Sequence, residues 1–406
     1  MKKGYLSQYF TGVATKVLSA VEVGDANSNQ HEFNGATGLR EILGTTSDRL
    51  TFETTFLFMF DGDCPPESDS GFMTWSDVRR NHPTRSEYHL YYSSDFISDF
   101  ANAGDILLIA KRPNNTLLAI IVEAGTTISQ QLLWLFGFAD MSDARFAVRS
   151  QLDDQTDYLE FASRYILDNI GISVETTEEA HLEEMLSKFN KKFPSTRIFS
   201  EYARSTLPEV NPQDEHDKVL MAWLDKEEKL FRTLEKYFVE IRLEQGFVND
   251  VDSFIAYSLS VQNRRKSRAG LSLENHLEFL FHECNIDYSR NPFTEKKSKP
   301  DFIFPHIEAY NDSSFEALKL TMLGVKSSCK DRWRQVLSEA DRIKNKHLLT
   351  LEAGISKNQT DEMKAKHLQL VLPKDIHRSY SSDQQKWLMS VAEFTSLVLE
   401  RQDLTG

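Results

Sequence analysis

A chain of 406 residues is long enough for two or three domains with substantial cores. With 40% hydrophobic and 27% charged residues it has the composition of a globular protein, and no apolar run approaches the ~18 residues of a membrane span. The net charge of −14 argues against general affinity for nucleic acid. The charge is uneven, however: residues 261–346 hold 16 Lys+Arg against 12 Asp+Glu, a local +4. Such a balance suits an enzyme that grips nonspecific DNA only weakly, and equally a protein that never meets DNA. MKKGYLSQYF lacks the apolar stretch of a signal peptide. Cys64, Cys284 and Cys329 are too far apart for a zinc pattern, so a reducing, cytoplasmic location is expected.

Taken in order, residues 1–160 read mainly as β. Phe52–Phe60 and Glu87–Tyr92 are strand candidates rich in aromatic and β-branched residues. Asp105–Arg112 and Thr116–Glu123 flank Pro113-Asn114-Asn115, which predicts a hairpin. Short helices around Gly38–Leu43 and Ser129–Phe136 complete an α+β or barrel-like pattern, and Asp61–Ser70 has the composition of a loop. Residues 173–218 carry clustered glutamates and Pro194, Pro208 and Pro212, which predicts a junction. Lys218–Gln245 reads as a long helix with Leu220, Trp223, Leu224, Leu230, Leu234 and Phe238 on its apolar face, serving either the core or a dimer.

Asn263-Arg264-Arg265-Lys266-Ser267-Arg268 places four cations in six residues. A run of this kind is ordinarily a solvated face. Here it precedes a helical pattern with Leu273, Leu277, Leu280 and Phe281, so the arginines are expected at a helix entrance, where guanidinium and backbone N–H groups can meet phosphate. Glu274 and Glu278, four apart, share a side of that helix. Asp301 heads a short apolar strand that ends at Pro305. Lys326 ends a second strand that starts near Leu318, and Glu339 lies in a helical pattern with Trp333, Val336, Leu337, Ala340 and Ile343. Carboxylates so placed can hold Mg²⁺, and a neighbouring lysine can orient water and stabilise charge at a phosphate.

The segments VQNRRKSRAGLSLENHLEFLF (261–281), KKSKPDFIFP (296–305) and VKSSCKDRWRQVLSEADRI (325–343) closely resemble the catalytic domain of the EcoRII family of restriction endonucleases, a branch of the PD-(D/E)xK nucleases. The resemblance is dense over 250–375. It implies an α/β domain with a mixed sheet flanked by helices, Asp301 and Glu339 as metal ligands, Lys326 at the scissile phosphate and Glu274 as a further acid. Glu339 would replace the acid that usually stands two residues before the lysine, where this chain has Gly324. Lys266, with Arg264, Arg265 and Arg268 around it, would face DNA. Lys330-Asp331-Arg332 matches the branch's recognition triplet, in which arginine reads guanine and a carboxylate accepts from cytosine.

The first half resembles the same family more faintly. QYF, then Lys16-Val17-Leu18-Ser19-Ala20, then an Asn/Gly-rich stretch with His31, then Asp63-Cys64-Pro65, follow its N-terminal effector-binding domain, a B3-like pseudobarrel. Lys16, His31, Arg79, Arg80 and Arg85 would be its DNA contacts. Where the family has a further basic strand, this chain has Glu87-Tyr88-His89-Leu90-Tyr91-Tyr92, which puts strict effector specificity in doubt.

The expectation is therefore a B3-like domain over 1–170, a linker over 171–217 and a nuclease domain over 218–406. The resemblance implies a Mg²⁺-dependent homodimer with Type IIE-like behaviour, cutting double-stranded DNA at a CC/GG-containing site beside a cognate methyltransferase. Alternatives are a repair or mobile-element nuclease, and a catalytically inactive DNA-binding regulator.

Overall fold

The computed structural model describes residues 6–23, 31–33, 36–46, 48–61, 66–82, 84–93, 96–138, 145–152, 166–167, 170–172, 179–248, 250–329 and 332–403. They divide into two compact units: Met1–Glu175 with Ala353–Asn358, and Thr176–Glu352 with Gln359–Gly406. No helix among the described residues is long and apolar enough to cross a membrane.

In the first unit, β1 (Gly12–Val17), β2 (Glu32–Phe33), β3 (Leu50–Met59), β4 (Glu67–Asp77), β5 (Tyr88–Tyr92), β6 (Ile106–Lys111), β7 (Leu117–Val122) and β8 (Ala147–Arg149) build one sheet, ordered β2-β5-β4-β3-β7-β6-β1-β8. Neighbours are antiparallel except β3 and β7. The expected hairpin is β6–β7, and Asn115 takes a left-handed φ of 63° in its turn, which asparagine tolerates. Alternation buries Phe52, Phe56, Met73, Trp75, Leu90, Leu107 and Ile109, with Trp75 stacked 4.8 Å from Tyr88. Helix α1 (Thr127–Leu135) starts after Thr126, whose side chain caps Ser129 N.

The loop expected over 61–70 is shorter than predicted. Residues 62–65 lie outside the described residues, but Glu67–Ser70 extend β4 against Thr55–Phe58 of β3. Backbone ladder bonds to a long partner strand impose strand geometry on a polar ESDS sequence that has no propensity for it.

The second unit carries a five-stranded sheet ordered β13-β12-β11-β10-β9: β9 (Ser289–Arg290), β10 (Phe302–Phe304), β11 (Thr321–Lys326), β12 (Lys346–Thr350) and β13 (Leu368–Val371). The β9–β10–β11 part is antiparallel and β11–β12–β13 parallel, a mixed α/β sheet. The expected linker is substantially helical. Leu182–Lys188 and α2 (Thr196–Ser205) bury Met185, Leu186, Phe189, Phe199, Tyr202 and Ala203 against Leu230, Phe231 and Leu234 of α3 (His216–Gln245). Glutamates on the outer faces of these helices had masked the apolar stripe.

The next helix, α4 (Val251–Glu283), runs 33 residues and is capped by Asp250, whose side chain accepts from Ser253 N. The basic run 263–268 therefore sits in mid-helix and offers no free amides, contrary to the entrance expected for it. No Gly or Pro breaks the sequence between 251 and 269, so the helix simply continues upstream of the run. Leu273, Leu277, Leu280 and Phe281 of α4 are fully buried, and Phe281 packs edge-on against Phe302 (5.3 Å) and Phe304 (5.2 Å) of β10. Truncating such an aromatic costs roughly 3–5 kcal/mol. That packing seats α4 on the strand that begins next to Asp301.

Candidate active site

Register brings Asp301 and Lys326 together. Phe302 of β10 pairs with Leu323 of β11, so Asp301, one step before it, stands at the level of Gly324. Directly opposed residues of an antiparallel pair share a face, as do residues two apart on one strand, so Asp301, Gly324 and Lys326 point the same way. Asp301 Oδ2 accepts from Val325 N (2.6 Å) and from Lys326 Nζ (2.8 Å). The side chains keep 11% and 19% exposure, so the pair is open at one side.

Glu339 joins them from another element. Helix α5 (Trp333–Leu337) packs on β11, where a Cβ on Gly324 would come within 2.8 Å of Val336 Cγ2. Gly324 therefore has a steric role: it admits the helix that leads to Glu339. Glu339 itself lies in the turn just beyond α5 and not on the helix as expected, because the helix stops at Leu337 and Ala340 turns back with φ 49°. Burial pushes the Glu339 carboxyl above its ordinary range; Lys326 pulls it down, while the charge on Asp301 pushes it further up. Its Oε2 is buried without a hydrogen-bond partner.

Two convergent carboxylates, one with an orphaned buried oxygen, are the hard oxygen donors that Mg²⁺ accepts while keeping water ligands. Among the described residues no group of three or more His, Cys, Asp or Glu is placed to hold a metal ion, so the protein's donors here are two carboxylates. The donor set fits a cation completed by water and substrate oxygens, and Asp301 and Glu339 are the residues that could hold it.

The other expected residues are distributed as follows. Glu274 Oε2 pairs with Arg290 Nη2 (3.0 Å), while Arg290 Nη1 holds Glu278 (2.6 Å) and Asn275 (3.0 Å). Arg290 lies on β9 and ties α4 to the strand beside Asp301. The i, i+4 glutamate pair was the sequence signal that a cation must sit between them, but nothing in the chain named which one.

In the basic run, Arg264 lies 4.3 Å over Phe193 and Arg265 pairs with Glu235 (2.6 Å). Arg268 is buried between Glu227 and Glu228 and over Phe231. Arg265 and Arg268 are thus engaged inside the unit, and Lys266 is the exposed lysine of the run. Arg332 Nη2 donates to Ser328 O and Oγ, both at 3.1 Å, and its Nε is buried without a partner. Lys330 and Asp331 lie outside the described residues. The Cys329 amide is held by the buried carboxylate of Glu352 at the end of β12, a contact 23 residues long in sequence that no local pattern announces.

In the first unit, Lys16 is fully buried and paired with Glu22 at 2.5 Å, so it offers no surface charge to DNA. Lys16 shares the face of β1 that carries the core residue Ala14, and its ammonium lies 5.3 Å from the Phe146 ring centroid, so it points into the core. Arg79 is paired with Glu87, and His31 sits edge-on to Tyr92 at 5.2 Å. Arg80 and Arg85 are exposed. His89 bridges Glu32 (3.0 Å) and Glu87 (3.3 Å); burial lowers its proton affinity, but these acceptors outweigh burial and raise it overall.

Residues 231–395 match the family model described as EcoRII C terminal. The chain is 39% identical over 237 residues to the Type II restriction enzyme EcoRII of Escherichia coli; the match covers 58% of this chain and 56% of that one, so the chain spans little more than half the length of this relative. The solved structures that align with it include metal-depleted Ecl18kI in complex with uncleaved, modified DNA (TM-score 0.46, 17% identity, 57% of this chain and 86% of that one) and a PspGI–substrate DNA complex (TM-score 0.44, 16% identity, 52% and 94%). Superpositions at these scores add no argument of their own. The stretch 231–395, which is similar to the EcoRII C-terminal family model, contains Asp301, Lys326 and Glu339.

Proposed function

We propose that the chain is a Mg²⁺-dependent, Type II site-specific DNA endonuclease of EcoRII type, with Asp301, Lys326 and Glu339 as its centre. The observation that carries this reading is the pairing of Asp301 with Lys326 on adjacent strands, beside Glu339, whose Oε2 is buried without a partner. Asp301 and Glu339 would hold the Mg²⁺, which supplies charge neutralisation at the phosphate and acidifies bound water. Lys326, anchored on Asp301, would donate to the attacking water or to a non-bridging phosphate oxygen. The water oxygen bonds to phosphorus as one P–O ester bond breaks, and the departing oxygen takes up a proton.

The same reading makes Lys266 a phosphate contact and Arg332 a reader of guanine in a CC/GG-containing site, with Lys330 and Asp331 beside it. It makes the working unit a homodimer, since two-fold sites are met by two-fold proteins, and implies a cognate methyltransferase. Glu274 acts through Arg290 in this reading, not on the metal directly. For the first unit we propose a B3-like effector-binding role that rests on His31, Arg80 and Arg85; Lys16 is excluded from it by burial.

Cleavage of a plasmid of known sequence in Mg²⁺, with the cut ends mapped, tests the proposal. Cuts at one short CC/GG-containing sequence, absent in EDTA and with Asp301→Asn, are expected. Cuts at random positions would favour a repair-type nuclease, and DNA binding without any cleavage would favour a regulator.

A further inference from the structure

We propose that Lys346 is a positioning residue for Glu339: its ammonium fixes the turn that presents Glu339 to the Asp301–Lys326 pair, and thereby sets how tightly the site holds a divalent cation. This inference rests on the nuclease reading above.

Helix α5 is five residues long, so its last carbonyls have no partner within the helix. Lys346 supplies one. Its Nζ donates to Leu337 O (3.0 Å) and to Glu339 O, reaching back nine and seven residues. A cation on the last carbonyls also complements the helix dipole. The lysine is 7% exposed, so its charge is held inside the unit at the cost of desolvation. A side chain that only filled space there would be apolar.

The base of the lever is rigid. Lys346 opens β12, which is laddered between β11 and β13, with Lys346 opposite Leu368 and Leu349 opposite Val371. The other side of the turn is held by Arg342, whose guanidinium donates to Tyr310 O, Asp312 O (3.0 Å) and Phe315 O (2.9 Å). Both cations pin the turn, but it is Lys346 that grips the backbone of Glu339 itself. The carboxylate, with Oε2 buried and unpartnered, has no side-chain anchor at that oxygen, so its direction depends on how firmly its main chain is held.

The test compares full-length wild type with Lys346→Met, Lys346→Gln and Lys346→Arg on a duplex fragment that the wild type cuts. Two quantities are read: the Mg²⁺ concentration for half-maximal cleavage, and the gain in DNA affinity on adding Ca²⁺ in place of EDTA, with no cleavage required. Lys346→Met is expected to raise the Mg²⁺ midpoint about 10–100-fold and to remove most of the Ca²⁺-dependent gain, the range typical for supports of metal ligands. Affinity in EDTA should stay within about twofold, because no DNA contact is lost. Lys346→Arg, which can still donate to both carbonyls, should retain most of the cation response. Lys346→Gln, milder should the methionine variant fail to fold, should fall between.

A folded Lys346→Met or Lys346→Gln protein with wild-type Mg²⁺ midpoint and Ca²⁺ gain overturns the inference and leaves the lysine a purely structural cap. A wild type with no divalent response at all would instead remove the nuclease reading, so the two failures are distinguishable.

Discussion

Among the described residues, Lys16–Glu22 and Lys326–Asp301 are lysine–carboxylate pairs built near strand ends, and they differ in one respect that separates structure from chemistry. Lys16 and Glu22 meet at 2.5 Å with 1% and 0% side-chain exposure, and Glu22 also accepts from Ser19 N and Oγ. That pair is closed: each carboxylate oxygen is engaged and neither charge reaches solvent. Lys326 and Asp301 meet at 2.8 Å with 19% and 11% exposure, both hydrogen bonds falling on Oδ2, and a second carboxylate with an orphaned oxygen stands beside them. An ion pair alone therefore says little about function. Access and an unsatisfied neighbouring acid are what make the second pair a candidate centre.

The comparison can be broken most sharply at Asp301. Asp301→Asn should reduce cleavage at least ten-thousandfold, roughly 5.4 kcal/mol. DNA affinity should change by no more than about tenfold, roughly 1.4 kcal/mol. Single-turnover cleavage alongside an electrophoretic binding assay checks both; a variant that still cuts in Mg²⁺ would falsify the assignment. Lys16→Met should do the reverse. Removing one partner of a sealed pair costs about 3–5 kcal/mol of stability, visible as a lower urea midpoint for the first unit. A Lys16→Met protein of unchanged stability but weakened effector binding would return Lys16 to the DNA-contact set.

Smaller effects sharpen the picture. Gly324→Ala should cost about 1–3 kcal/mol through overpacking against Val336. Pairing it with Val336→Ala should recover most of the loss, and no recovery in the double variant would show that the clash is not the cause. At the level of binding alone, Lys266→Ala should reduce the salt slope of DNA affinity by about one unit with little effect on folding. Arg268→Ala should mainly destabilise, because Arg268 answers Glu227 inside the unit. If instead Arg268→Ala flattened the salt dependence and left stability intact, the internal role of that arginine would be wrong.

What the sequence determined by itself were the features set over short spans. The Asp301 and Lys326 strands, the 106–122 hairpin and the long helix ending at Gln245 follow from periodicity and turn chemistry, which are local. The motifs around 261–343 also led to the family that the match over 231–395 supports. Tertiary structure decided which charges face solvent and which are answered inside. Arg268 finds Glu227 41 residues away, Arg265 finds Glu235 30 away and Lys346 turns back on its own loop. A charged residue reads the same in sequence whether it is solvated or paired; its partner is chosen only when distant elements pack. The same holds for Gly324, whose missing side chain matters because α5 rests there, and for 182–205, whose helices exist because α3 buries their apolar faces. Local pattern placed Asp301 and Lys326 at their strands, and long-range packing determined which charged groups remained open to solvent.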